Sequence, residues 1–253
     1  DPNPGIRWGL HLNDAHRGLV KNCASASWHD SCLHAVNSYG NEIEANSLVK
    51  CLYAVPSWGT WNALMNFGGS TSNKVRGNVM ASAGAGFQHF GGGPFDQFEN
   101  NVVYGVSNGG TMWHINGTGT GSPDLDAPYS GIKGLRVWRT SNDGYGLGYP
   151  SRNIVLDGFI LRNYGPVPQV GMGFLFGDYF AENFTLRNWD VRGYLIGIEV
   201  PLGQGWDEPP GTRKHLFTVE DSYLADNETN IFYSMSSFAG GSGGVVAAKG
   251  LIC

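Results

Sequence analysis

Four of the seven histidines stand in short apolar runs of similar make: Leu10-His11-Leu12, Leu33-His34-Ala35, Gln88-His89-Phe90 and Trp113-His114-Ile115. Laid in register, these runs form one column, with Asn66 of Met65-Asn66-Phe67 in the slot between His34 and His89. A row of imidazoles flanked by Trp113, Trp61 and Trp28 suits a polysaccharide, because imidazole both donates and accepts hydrogen bonds while indole stacks on sugar rings. The binding candidates are therefore His89, His114, Trp113, Trp61 and Asn66. The same residues also fit an ordinary surface or an inward-facing stack, since their apolar neighbours are compatible with either face.

Cleavage of a glycan needs a carboxylate pair, or a base beside a charge-stabilising group, within a few ångströms. The nearest grouping is Asp14 and His16 in Asn13-Asp14-Ala15-His16-Arg17, with His29 and Asp30 further along, close enough in sequence to meet across a coil. Together with the head of the histidine column this makes His11, Asp14, His16, Asp30 and His34 the catalytic candidates. Asp124 and Asp126, in a Gly-, Ser- and Pro-rich stretch, present oxygens of the kind calcium takes. They lack the Gly and distal Glu of an EF-hand, so a solvated loop is the plainer reading, and no other cofactor or metal is expected. Three Asn-x-Ser/Thr sequons begin at Asn116, Asn183 and Asn227, about the number chance supplies in a chain rich in these residues. In a protein secreted by a eukaryote, Asn116 and Asn227, in predicted loops, are the better glycosylation sites.

The elements that must hold these groups are constrained by composition. Of 253 residues only 15% are charged, 39 are glycine and 13% are aromatic, a turn-rich and ring-rich mixture poor in the formers of exposed helices. The formal net charge is −5 and the basic residues are scattered, which argues against phosphate-backbone binding. The longest apolar runs, such as Ile231-Phe232-Tyr233, fall far short of the ~20 residues that span a bilayer. The four cysteines, Cys23, Cys32, Cys51 and Cys253, include no Cys-x-x-Cys pair, and both buried thiols and one disulfide stay open. The chain begins Asp1-Pro2-Asn3-Pro4 without methionine, so it is expected to be a processed product or a piece of something longer.

A repeat organises the chain. An apolar residue, two further positions and an Asn recur at Leu19 to Asn22, Ile43 to Asn46, Val75 to Asn78, Phe98 to Asn101, Ile160 to Asn163 and Thr185 to Asn188, with substituted versions at Leu135 to Trp138 and Val219 to Ser222. A second apolar run follows most of them, as at Cys32 to Val36, Gly86 to Phe90, Thr111 to Ile115, Gly173 to Phe176, Leu195 to Val200 and Ile231 to Tyr233. Between such short strands there is no room for a crossover helix, so parallel pairing requires a solenoid in which each coil's strand neighbours that of the coil before. The fold expected is all-β: one right-handed parallel β-helix domain over residues 1–253, of about eight coils at ~4.8 Å each. The recurring Asn is then structural, an amide ladder along the axis. Stretches Pro56 to Asn73, Asn116 to Gly131 and Pro201 to Lys214 read as loops protruding beside a binding site.

Neither end carries a capping helix or polar repeat, although a parallel stack leaves unpaired backbone at both. Two functions fit. One is an extracellular or cell-surface module presenting a His- and Trp-lined face to polysaccharide, as binder or as part of a lyase or hydrolase. The other is a structural subunit of an extracellular fibre, stacking on itself or on flanking domains through its open ends. Nucleic acid and a membrane span in this segment are not expected.

The segments Gly9-Leu10-His11-Leu12, Gly18 to Asn22, His34-Ala35-Val36, Ile43 to Asn46, Gly77-Asn78-Val79, Phe98 to Val103 and Leu135 to Arg139 resemble the coils of extracellular β-helix proteins related to fibrocystin and the transmembrane hyaluronidases. Other polysaccharide-acting β-helices of the pectate-lyase-like kind share much of this pattern. The resemblance covers about residues 9 to 190 and implies an extracellular right-handed β-helix whose relatives contact or cleave glycans. Only His11 falls near the family's His-bearing coil segment, so no catalytic residue is carried over from it.

Overall fold

The computed structural model describes residues 9–28, 31–50, 63–90, 93–113, 129–148, 151–164, 171–176, 181–201, 216–234 and 245–253. These hold three sheets in which every pair of neighbouring strands is parallel, and no helix. Sheet I contains Leu10–Asn13, Leu33–Val36, Ala63–Gly68, Ala85–Phe90, Asn108–Trp113, Tyr145–Gly148, Met172–Phe176, Ile196–Pro201 and Thr229–Ser234. Sheet II contains Leu19–Lys21, Glu42–Glu44, Lys74–Arg76, Gln97–Glu99, Tyr129–Lys133, Ser151–Asp157, Ala181–Arg187, Leu216–Glu220 and Val245–Lys249. Sheet III contains Ala24–Ala26, Ser47–Val49, Val79–Ala81, Val102–Tyr104, Arg136–Trp138, Ile160–Arg162, Asp190–Arg192 and Tyr223–Ala225. The chain visits I, II and III in turn and repeats, giving a parallel β-helix with nine strands in two sheets and eight in the third.

Each short strand of sheets II and III turns its middle residue inward. Ile43, Val75, Phe98, Ile132, Leu156, Leu186 and Val219 of sheet II are fully buried, as are Val103, Val137, Leu161, Val191 and Leu224 of sheet III. One buried residue per strand is the least a three-residue strand can offer, and stacking rungs makes a continuous core of these single contributions. The stretch Pro56 to Asn73, expected to protrude, instead supplies the third sheet I strand, in which Met65 and Phe67 are fully buried. Its Gly, Ser and Asn content argued for a loop, although the alternation of Met65, Asn66 and Phe67 marks the strand. Likewise Tyr129–Lys133, at the end of the second expected loop, is a sheet II strand.

Every connection from sheet II to sheet III is two residues long. The first of the two is left-handed at every rung, occupied by Asn22, Ala45, Gly77, Asn100, Gly134, Gly158, Asn188 and Asp221, with φ between 49 and 72°. From the second rung on, the second points inward: Asn46, Asn78 and Asn101, then Leu135, Phe159 and Trp189, then Ser222, whereas Cys23 in the first rung is exposed. Along the first three, Asn46 and Asn78 each donate Nδ2 and the main-chain N–H to Oδ1 of the next Asn at 2.9–3.0 Å. Nδ2 also donates to the carbonyl of Val20, Ile43 and Val75 respectively. Trp189 does the same work with an indole, its Nε1 donating to the Leu156 carbonyl at 2.9 Å while its ring stacks on Phe159 at 4.6 Å.

The expected ladder is therefore real but narrower than the repeat suggested. Asn22 and Asn188 occupy the left-handed position one residue earlier, Trp138 lies in a sheet III strand, and Asn163 follows one. Asn suits two different jobs at this corner, since it tolerates positive φ and offers a buried amide, and residue type alone does not separate them. A second ladder, Asn41 to Asn73, runs along the connection from sheet I to sheet II.

Where the chain turns into sheet I, Gly86, Gly109, Gly144, Gly173 and Gly197 form a column. A methyl group on each would lie 2.0–2.7 Å from the main-chain carbonyl oxygen of the following rung. Only hydrogen fits between backbones this close.

Sheet II carries an ionic ladder on its outer face. In register from the first rung to the ninth stand Lys21, Glu44, Arg76, Glu99, Lys133, Asp157, Arg187, Glu220 and Lys249, alternating in sign without a break. Lys21 reaches Glu44 at 3.0 Å and Arg187 reaches Asp157 at 2.7 Å. A strand that skipped a rung would meet like charge here, so the alternation penalises mispaired coils whose short strands are otherwise similar.

Candidate functional site

The connections into and out of sheet I run from two residues to fifteen, whereas the sheet II to sheet III corner never varies. All the length variation of the coil thus flanks one sheet, and insertions that cluster on one face of a solenoid shape its binding site. The outer face of sheet I is the candidate.

Pairing of the strands places His11, His34, Asn66, Gln88 and Thr111 in one column over five successive rungs. Adjacent members are about 4.8 Å apart, the spacing of parallel strands. The flanking residues Leu33, Ala35, Met65, Phe67, Phe87 and Met112 are buried, so period-two alternation turns the polar column outward. The imidazoles of His11 and His34 stack at 5.1 Å with 18° between planes. Exposure falls along the row as far as Gln88 and then rises: His11 is exposed, His34 and Asn66 are half-buried, Gln88 is buried at 4% and Thr111 is half-buried. The column then continues through Gly146 and Leu175, and its eighth rung carries Glu199, buried at 8%. Sequence reading missed Gln88 and Glu199, although alternation around the fully buried Phe87 and Ile198 would have marked both as outward-facing.

The structure joins His11, His34 and Asn66 as expected but moves His89 out of the row. Gln88 pairs with Asn66, so His89 sits one residue further on and faces inward, fully buried, with its ring 4.7 Å from Phe95 and Nε2 3.3 Å from the Ser70 carbonyl oxygen. In a strand of period two, a one-residue shift exchanges faces. Trp113 ends the fifth sheet I strand. Trp28 is 38% exposed beside Gly9, at the edge where the first rung turns into sheet I.

His16 and Asp14 lie on the corner leading from sheet I to sheet II. His16 pairs with Tyr39 and stacks on its ring at 3.8 Å, while Asp14 has φ of 49° and donates its main-chain N–H to the Val36 carbonyl. His29, Asp30, Trp61, His114, Asn116, Asp124 and Asp126 lie outside the described residues, as does Cys51. Among the described residues no three His, Cys, Asp or Glu side chains gather as a metal site, and Cys23, Cys32 and Cys253 are free thiols. Burial pushes the Cys32 thiol up from its ordinary value.

Of the sequons, Asn227 is a poor acceptor. Its Oδ1 accepts from the Tyr194 N–H at 3.0 Å and its Nδ2 donates to the Val191 carbonyl and to Asn230, so the amide bridges rungs at the corner leading into sheet I. Asn183 is exposed, on a left-handed position within a sheet II strand, and donates to Asn153. Asn227, read as a loop residue, thus holds a corner instead, because a ladder Asn and a loop Asn look alike in sequence, while Asn116 lies outside the described residues.

Behind the face, where the chain turns into sheet I, Asn108, Asn142 and Asp143 interlock. Asn108 Oδ1 accepts from Asn142 Nδ2 and the Asp143 N–H, and Asp143 Oδ1 accepts from the Met172 N–H at 2.9 Å. Burial raises the Asp143 carboxyl against the pull of that last hydrogen bond. No helix of the described residues is long and apolar enough to cross a membrane.

No protein-family model matches the chain, and no curated protein matches it in sequence. Among solved structures it is similar to the periplasmic alginate epimerase AlgG, with TM-score 0.50 and 13% identity over 97% of this chain and 47% of that one. A mutant of the same epimerase aligns with TM-score 0.55 and 13% identity over 93% of this chain and 50% of that one. The catalytic domain of a GH87 α-1,3-glucanase in complex with tetrasaccharides aligns at TM-score 0.45 and 12% identity. This chain spans about half the length of those structures. At such identities the likeness establishes the parallel β-helix.

Proposed function

We propose that the chain is an extracellular or cell-surface β-helix module that holds a polysaccharide along the outer face of sheet I. The observation carrying this reading is that every variable connection flanks that sheet, whose outer column is polar through five rungs. A row of imidazole, amide and hydroxyl groups repeating at about 4.8 Å offers hydrogen bonds at nearly regular intervals, the arrangement a polymer of hydroxylated rings needs. Trp28 adds a stacking surface at one end. The likeness to an alginate epimerase supports a glycan as the ligand class. The periplasmic setting of that epimerase is compatible with an extracellular one for this chain. Glu199, the carboxylate of the column, lies six rungs from His34, about 29 Å along the axis, so in a chain-cleaving reaction it and the His11 and His34 imidazoles would act at separate points of the row.

The test is a glycan array with the purified chain, followed by a reducing-end assay on every glycan retained. Binding is expected, and His34→Ala with Asn66→Ala should weaken it on the order of tenfold, the effect of losing one or two hydrogen bonds. An array with no ligand, or affinity unchanged in the double variant, overturns the proposal. Product release abolished by Glu199→Gln would make the face an active site, and retention without product would make it a binding face.

A further inference from the structure

The outer face of sheet III changes character along the axis. Over the first three rungs its outward residues are small, Ala24, Ala26, Ser47, Val49, Val79 and Ala81, as is Val102 in one column of the fourth. Beyond them the two outward columns read Tyr104, Trp138, Arg162, Arg192 and Arg136, Ile160, Asp190, Tyr223, with Arg139 and Tyr164 at the adjoining corners. Arginines and aromatic rings are thus gathered on one face over five rungs.

The charges do not cancel. Asp190 is the one acid within these columns, and it accepts from Arg162 Nη2 and from Arg192 Nε and Nη2, the latter two at 2.6 and 2.9 Å. Two guanidinium groups share one carboxylate. Arg139 donates to the neutral Tyr104 hydroxyl at 2.9 Å. Arg136 is exposed, and its guanidinium makes no hydrogen bond or ion pair among the described residues. With Asp226 at the same corner position as Arg139, the four arginines stand against two acids, and two positive charges are in excess on this face of a chain whose net charge is −5. All four cations are arginine, whose planar fork fits a carboxylate. The rings are presented beside them: Tyr164 is 52% and Tyr104 42% exposed, and the Arg192 guanidinium lies 4.4 Å over Tyr223.

We propose that this face is a second binding surface, for a carboxylate-bearing polysaccharide, with uronate groups on Arg136, Arg139 and Arg162 and sugar faces against Trp138 and Tyr104. It shares no residue with sheet I and stands whether or not that face binds a glycan. A neutral glycan would desolvate the guanidinium groups without pairing them. A nucleic acid is a poorer match, because two surplus charges on an otherwise acidic chain make a small electrostatic footprint.

The experiment is isothermal titration of the whole chain with polygalacturonate, with its fully methyl-esterified form and with single-stranded DNA. Polygalacturonate should bind, more weakly as salt rises, and the esterified form should not. Arg136→Gln with Arg139→Gln should weaken binding on the order of tenfold at an unchanged thermal midpoint, since both side chains are exposed. Trp138→Ala should weaken it too, while His34→Ala with Asn66→Ala should leave it unaltered. Absence of polygalacturonate binding, equal binding of the esterified form, tighter binding of DNA, or unchanged affinity in the arginine variant overturns the proposal. Loss of polygalacturonate binding in the His34 and Asn66 variant, with the arginine variant unaffected, assigns that polymer to sheet I and likewise overturns it.

Discussion

Asn78 donates both Nδ2 and its main-chain N–H to a single acceptor, Oδ1 of Asn101, each at 3.0 Å. Its own Oδ1 accepts the corresponding pair from Asn46. Asn78→Ala leaves the Asn46 donors and the Ile43 carbonyl without partners in a dry interior, so a loss of roughly 3 kcal/mol or more is expected from urea denaturation. Asn22→Ala, at the left-handed position of the first rung, should cost only about 1 kcal/mol through backbone strain. Equal losses would contradict the division of the corner into a strained site and a ladder site.

The glycine column gives a comparable contrast. A Cβ on Gly109 would stand 2.0 Å from the Gly144 carbonyl oxygen and 2.6 Å from Val137 Cγ1, and neither can give way without parting two rungs. Gly109→Ala should destabilise by roughly 3 kcal/mol or more, or prevent folding. Gly77→Ala meets nothing within 4 Å and bears only the strain of φ at 61°, about 1 kcal/mol. Thermal midpoints of the two variants settle the comparison.

Acid should loosen the fold. The Arg187 hydrogen bond, with a further one from Asn188, holds the Asp157 carboxyl below its ordinary range. At Asp190 burial works the other way but is outweighed by Arg192 and Arg162, so that carboxyl is lowered as well. A group depressed on folding contributes stability above its unfolded pKa, near 4 for Asp, and loses it as pH falls through the folded value. Asp143, raised by burial, acts in the opposite sense, its contribution being lost as pH rises through its folded value. The Lys74 hydrogen bond lowers the exposed Glu42 carboxyl too, and with three lowered against one raised the thermal midpoint should decline below about pH 4, and less steeply in Asp157→Asn. A midpoint that climbed on acidification would refute this balance.

Glu99→Lys would put three cations in consecutive rungs, between Arg76 and Lys133. The expected loss is about 1 kcal/mol in low salt, and Glu99→Gln should lose less than half of that. In 1 M NaCl, where the screening length is roughly 3 Å, the two variants should converge. A difference that persists there would mean that packing and not charge sets the effect.

The architecture was legible because the solenoid repeats a local instruction. An apolar residue followed three positions later by Asn recurs without room for helices, and only stacked parallel coils reconcile short strands with parallel pairing. His11, His34 and Asn66 were placed in one column because their flanking apolar residues fix the face. His89 was lost from it because its strand is preceded by a three-residue connection and the register had no independent mark; Gln88 took the place. Asn227 and Asn188 were misread for a related reason, since chemistry shared by ladder, strained corner and loop leaves no trace in residue type.

What the amino-acid order decided alone is the coil: glycines where backbones touch, single buried residues in three-residue strands, and ladder amides at Asn46, Asn78 and Asn101. These are interactions within one turn or with the next, so local pattern suffices. What the tertiary structure decided is which distant residues share a surface. The ionic ladder from Lys21 to Lys249 and the arginine–aromatic face from Tyr104 to Tyr223 join residues separated by connections of unequal length. Their alignment is set by main-chain pairing between rungs, and no fixed spacing in the sequence expresses it.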